Sequence, residues 1–109
     1  MKAIAQRSVC PVSCSLEVLG DKWTLLIIRD LVKGKTTYGD FLQSGEKIAT
    51  NILADRLTNL ENNGLVSKTV APDKKSKFLY ELTEKGKDLQ PVLEAFFKWG
   101  TKYYPQTEN

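Results

Sequence analysis

The chain has 109 residues, 41% hydrophobic and 27% charged, which is the balance of one globular domain with its own core. It contains no histidine; this excludes Ser-His-Asp and Cys-His catalysis, and leaves zinc only two cysteines and carboxylates, so neither an enzyme nor a metal or other cofactor is expected. The formal charge of +3 permits nucleic-acid binding without demanding it.

No apolar run reaches bilayer length, and residues 1–7 start positive but lack an apolar stretch. Neither a membrane span nor a secretory signal is expected. Two cysteines four residues apart suit a reducing cytoplasm.

In chain order, the first predicted helix opens at Pro11 and stops at Gly20, with Val12, Leu16 and Leu19 on one face. Cys10 precedes its start, where the helix dipole and open N–H groups lower a thiol pKa, and Arg7 is near enough to help. Cys14 follows one turn later. The pair reads either as redox-sensing or as two small buried apolar residues. Asp21 can cap a second helix, Lys22 to Lys33. There Trp23, Leu26, Ile27, Asp30 and Leu31 follow one face, and Leu25, Ile28 and Val32 form a second apolar flank. A helix apolar over so much of its circumference is a central core helix. Gly34 ends it, and Lys35-Thr36-Thr37 is a candidate strand edge.

Residues 37–63 read as a helix-turn-helix. Thr37 caps the first helix, with Asp40 at the third position of a capping box. Ser44 to Lys47 break the period, with Gly45 able to take a positive φ. Helical spacing resumes from Ala49 to Asn62, and Asn63-Gly64 end it as a left-handed C-cap does. At about 100° per residue, Ala49, Leu53, Leu57 and Leu60 form the core face. Thr50, Asn51, Ala54, Asp55 and Thr58 fall opposite, on the side that can enter a major groove. Asn51 suits adenine, Thr50 a base or a phosphate, and Lys47 a phosphate. Asp55 either accepts from cytosine or is repelled by the backbone. Arg56, at the edge of the core face, either ion-pairs within the protein, with Asp40 or Glu61, or touches DNA. Tyr38 packs or binds.

Residues 65–82 read as a β-hairpin. From Lys68 to Lys77 there are four lysines against one aspartate, a local +3 that equals the charge of the whole chain. A lysine-rich tip (Lys74, Lys75, Lys77) is by itself ordinary solvated surface. Directly behind a helix-turn-helix it is a wing suited to phosphates. Thr83 can cap a C-terminal helix over residues 84–104, with a kink or restart imposed by Pro91, which cannot donate to Lys87. Leu89, Val92, Leu93, Phe96, Phe97, Trp99 and Tyr103 give that helix more apolar surface than a small core needs, so it is expected to dimerise. The fold class is mainly α with a small β-hairpin wing (α+β). It is a single winged helix-turn-helix domain, 1–109, with core 10–100, helix-turn-helix 37–63, wing 65–82 and dimerisation helix 84–104.

An ordered series of short motifs closely resembles the HxlR-type transcriptional regulators. It runs through Cys10-Pro11-Val12, Gly20-Asp21-Lys22-Trp23-Thr24-Leu25-Leu26-Ile27, Tyr38-Gly39-Asp40-Phe41 and Ile48. It continues with Leu53-Ala54-Asp55-Arg56-Leu57, Leu60-Glu61, Gly64-Leu65-Val66, Tyr80-Glu81-Leu82-Thr83, Gly86, Pro91-Val92-Leu93 and Trp99-Gly100. The resemblance implies a winged-helix homodimer, related to the MarR-like regulators, that binds operator DNA in bacteria or archaea. It also implies that the cysteine of the Cys-Pro motif, here Cys10, senses electrophiles or oxidants in some members. The chain departs from the pattern at Thr36 and Thr37, where the family often has Arg, and at Ala49, where Ser is common. Ala is a poor N-cap, costing about 1 kcal/mol, although Ile48 can staple against Leu53. The reading is a sequence-specific DNA-binding regulator acting as a homodimer, whose symmetry makes its operator a pseudo-palindrome. The alternative is a winged-helix protein-interaction module whose wing lysines meet acidic side chains.

Overall fold

The computed structural model describes residues 9–72 and 77–105. Helix α1 (Pro11–Leu19) opens with proline in its first turn and packs against α2 (Lys22–Val32). The Asp21 carboxylate starts α2 by accepting from the Trp23 and Thr24 N–H groups at 2.9 and 3.2 Å and from Thr24 Oγ1 at 2.6 Å. Gly34, at φ 104°, ends it, as the Gly34 and Lys35 N–H groups bond the Leu31 and Asp30 carbonyls at 3.0 Å each. Helix α2 buries Ile27, Ile28 and Leu31 and contacts helix α1, both later long helices and the second strand, so it is the central element. Val32 departs from its expected flank and is 38% exposed.

Helix α3 (Tyr38–Leu42) carries the complete capping box of Thr37 and Asp40 and buries Phe41. In the following turn the positive φ falls on Lys47, at 59°, and not on Gly45. Gly45 and Glu46 are the middle of a tight turn closed by Lys47 N–H on the Ser44 carbonyl at 3.0 Å, and the reversal comes after it. A left-handed residue with a Cβ costs about 1 kcal/mol. Helix α4 (Thr50–Asn62) buries Leu53, Leu57 and Leu60. Ala49 is exposed, against the expectation of a core position. As the N-cap it has extended backbone (φ −70°, ψ 148°), which takes it off the helical period, and Ile48 fills the core instead. Gly64, at φ 76°, closes α4, with Leu65 N–H on the Leu60 carbonyl at 2.9 Å.

Strands β1 (Val66–Val70) and β2 (Phe78–Leu82) pair antiparallel, Val66 opposite Leu82 and Val70 opposite Phe78. The Tyr80 ring meets Phe41 edge-on at 6.2 Å between centroids and fastens the hairpin to α3. The third strand edge expected at residues 35–37 is reduced to one hydrogen bond, Tyr80 N–H to the Thr36 carbonyl at 2.8 Å. The Thr36 and Thr37 N–H groups are already committed to the Asp40 carboxylate at 3.2 Å each, so no ladder can extend.

The kink or restart expected at Pro91 is a restart: the C-terminal segment forms α5 (Glu84–Lys87) and α6 (Gln90–Tyr103). Thr83 Oγ1 accepts from Gly86 N–H at 3.2 Å and donates to the Gly64 carbonyl at 2.6 Å, while Lys85 Nζ reaches the Asn63 carbonyl at 2.9 Å. A Cβ on Gly86 would collide with the Leu65 carbonyl oxygen, so this closure needs glycine. No residue of α6 is buried. Among the described residues, no helix is long and apolar enough to cross a membrane, and no group of three or more Cys, Asp or Glu is placed to hold a metal. The architecture is a winged helix-turn-helix.

Candidate nucleic-acid interface

The candidate face is built by default. Leu53, Leu57 and Leu60 turn inward at 0%, 2% and 1% exposure, which sends the opposite side of α4 outward. Thr50, Asn51, Ala54, Asp55 and Thr58 are all exposed there, as their spacing predicts. They are small or polar, so the helix can approach base edges closely and still offer donors and acceptors. Lys47 is exposed at the mouth of α4. Tyr38 packs on the core and its hydroxyl donates to the Thr50 carbonyl at 2.8 Å.

Arg56 forms its ion pairs with neither Asp40 nor Glu61. Its Nε donates to Asp21 Oδ2 at 2.8 Å and its NH1 to Asp55 Oδ2 at 2.6 Å. Asp40 is committed to the capping box, and Glu61 lies 3.7 Å from Lys68 Nζ. Partial burial pushes the Asp21 carboxyl up, but hydrogen bonds from Thr24, Arg56 and Trp23 outweigh it and hold the group below the usual carboxylate range. The bond to Asp21, and secondarily that to Asp55, raises the Arg56 pKa. Asn59 Nδ2 is 3.4 Å from the same Asp55 oxygen. Asp21 and Asn59 are the site residues that sequence reasoning missed. Asn59 stood at i+4 from Asp55, a visible signal; Asp21 is 35 positions from Arg56 and gave none.

A second cluster braces the turn ahead of α4. Arg29 NH1 and NH2 donate to the two Glu46 carboxylate oxygens at 2.8 Å each, NH2 also to Ser44 Oγ at 3.0 Å, and Nε to Asp30 at 3.1 Å. Ser44 Oγ donates to Glu46 Oε1 at 2.7 Å. The guanidinium lowers the Glu46 pKa to about 2, and Glu46 in turn raises that of Arg29. The central helix thereby grips the segment that carries Lys47 and its left-handed backbone.

On the wing, Lys77 is exposed at the start of β2 and borders a groove with Tyr38, Gln43 and Tyr80. Lys74 and Lys75 lie outside the described residues, as does Arg7. Lys68 sits 4.5 Å over the Phe78 ring and beside Glu61, on the body of the hairpin.

Away from this face, Cys10 is the exposed N-cap of α1. Backbone N–H groups of Ser13 and then Val12 hold its thiol below the ordinary value. Cys14 is half-buried one turn on. Of the residues expected at a dimer interface, Leu89 and Leu93 turn onto the domain's own core, and Val92 is half-buried. Phe96, Phe97, Trp99 and Tyr103 are 61%, 73%, 59% and 56% exposed.

A family model, HxlR-like helix-turn-helix, matches residues 18–108. The uncharacterized HTH-type transcriptional regulator sll1512 of Synechocystis sp. is 34% identical over 98 residues, spanning 90% of this chain and 73% of that protein. The crystal structure of PA1607 superposes with a TM-score of 0.84 at 40% identity, covering 94% of this chain and 71% of the other. The redox regulator HypR in its reduced form gives a TM-score of 0.76 at 30% identity, over 85% of this chain and 92% of HypR.

Proposed function

This chain belongs to the HxlR-like helix-turn-helix family of transcriptional regulators, and from that premise we propose that it binds double-stranded operator DNA as a homodimer. Helix α4 enters the major groove with Thr50, Asn51, Ala54, Asp55 and Thr58 toward the bases. Lys47 and the wing lysines Lys74, Lys75 and Lys77 meet phosphates, and Arg56 keeps the groove-facing side in register. The observation that carries this reading is the polar, small-residue side of α4, left exposed while its other side is sealed in the core.

A second copy of the chain is the partner that best suits α6. Phe96, Phe97, Trp99 and Tyr103 on that helix, with Val12 and Leu16 on α1, are too much exposed apolar surface for a monomer in water. Two-fold symmetry then calls for a pseudo-palindromic operator with half-site centres about 34 Å apart. Cys10 is the group through which oxidants or electrophiles reach the regulator, supported by its exposure, its lowered thiol pKa and the redox role of HypR. The cytoplasm is the compartment in which such a thiol and the chromosome meet.

A mobility-shift titration against random duplex DNA at two salt concentrations tests the proposal. Binding should weaken steeply with salt, and a Lys74, Lys75 and Lys77 triple alanine variant should lose about one unit of slope per lost phosphate contact. A protein that ignores every duplex in dilute buffer would return the reading to a protein-docking module. Cys10→Ser should abolish any effect of diamide on binding.

A further inference from the structure

We infer that Asp55 determines base specificity, its carboxylate accepting a hydrogen bond from the N4 amino group of a cytosine in the major groove. The inference deepens, and rests on, the DNA-binding reading above. Position comes first. Asp55 follows Asn51 by four residues and precedes Asn62 by seven, so it stands on the midline of α4 facing away from Leu53, Leu57 and Leu60. Its side chain is 59% exposed.

Orientation comes from a relay that begins at the N-terminus of α2. The cap of α2 fixes Asp21, Asp21 holds Arg56 Nε at 2.8 Å, and Arg56 NH1 holds Asp55 Oδ2 at 2.6 Å. Asn59 adds a second hold on Oδ2 at 3.4 Å. An unanchored aspartate on such a face would swing and would repel phosphates. Here Oδ2 is committed to Arg56 and Asn59, which leaves Oδ1 as the oxygen available to a base. Arg56 also offsets the charge, which lets a carboxylate approach the duplex at all.

The chemistry of the groove then selects the base. Cytosine offers a donor, N4–H, at its major-groove edge. Guanine offers only the acceptors O6 and N7, and thymine the acceptor O4, which a carboxylate avoids. Adenine sets its donor beside the acceptor N7, a poorer match. Arg56 and Asp21 are positioning residues in this scheme, since they act through Asp55.

Selection of bound sites from a random duplex pool, run in parallel with the wild type, Asp55→Ala and Asp55→Asn, provides the test. The wild type should retain one strongly preferred cytosine per half-site. Asp55→Ala should lose about tenfold discrimination at that position alone and bind random duplex more tightly, because a negative charge has left the interface. Asp55→Asn should move the same position toward a purine, whose N7 accepts from the new amide. A merely structural role would weaken all positions and random DNA together, and that result overturns the inference, as do identical site preferences in all three proteins. If the wild type binds no duplex, the parent reading falls as well; if it binds and only the variants fail to diverge, this inference alone falls.

Discussion

Helices α2 and α6 are both dense in large apolar side chains, yet α2 buries Ile27, Ile28 and Leu31 while no residue of α6 is fully buried. The difference lies in what the chain can wrap around each. Helix α2 touches α1, α4, α6 and β2, whereas α6 leaves the body of the domain after Leu93 and its aromatic residues face outward. Apolar content therefore predicts that a surface will be covered, and the path of the chain decides whether the chain itself can cover it. The polar side of α4 is the third case, exposed and suited to staying wet until a hydrated partner arrives.

The sharpest way to break this contrast is to truncate one apolar side chain in each helix. Ile28→Ala empties a fully buried site and should cost about 3 kcal/mol, with the same loss in thermal unfolding at any protein concentration. Trp99→Ala should leave the fold of one copy intact but weaken association by about 2 kcal/mol, roughly thirtyfold in the dimer dissociation constant, read by sedimentation equilibrium. Equal, concentration-independent destabilisation by both variants would show that α6 is an ordinary part of the core.

Smaller effects probe how α2 reaches the candidate DNA face. Asp21→Ala removes the α2 cap and a hold on Arg56, and should lower unfolding stability by about 1 kcal/mol. Its effect on selected sites should be confined to the position read by Asp55. Glu46→Gln breaks the two-point pair with Arg29. The folded-state pKa of Glu46, about 2, lies below its ordinary 4.5, so the pair stabilises fully above that ordinary value and is lost as pH falls toward 2. Because the carboxylate is 34% exposed, solvent screening leaves about 1 kcal/mol of the nominal effect. Urea unfolding should show that deficit at pH 7 and a shrinking one near pH 3; a pH-independent deficit would refute an electrostatic clamp.

Much of the candidate site could be read from residues close together in the chain. The Thr37–Asp40 capping box, the Asp21 cap, the Gly64 termination and the restart at Pro91 all depend on backbone groups within about five residues, where the N–H and carbonyl partners are dictated by helix geometry itself. The exposed side of α4 followed from the period of its leucines. Misreadings came where local rules run out. Ala49 left the helical period because it is the cap, and Lys47 took the left-handed backbone because the turn before it had already closed.

Taken alone, then, the order of amino acids determined which segments are helix, turn and hairpin and which helical sides are apolar, since those depend on neighbours along the chain. Tertiary structure alone decided that Arg56 answers to Asp21, 35 positions away, and that Arg29 grips Glu46, 17 positions away. Such partners are chosen by how helices cross and how far side chains reach through space, and no periodicity in a one-dimensional string encodes that distance.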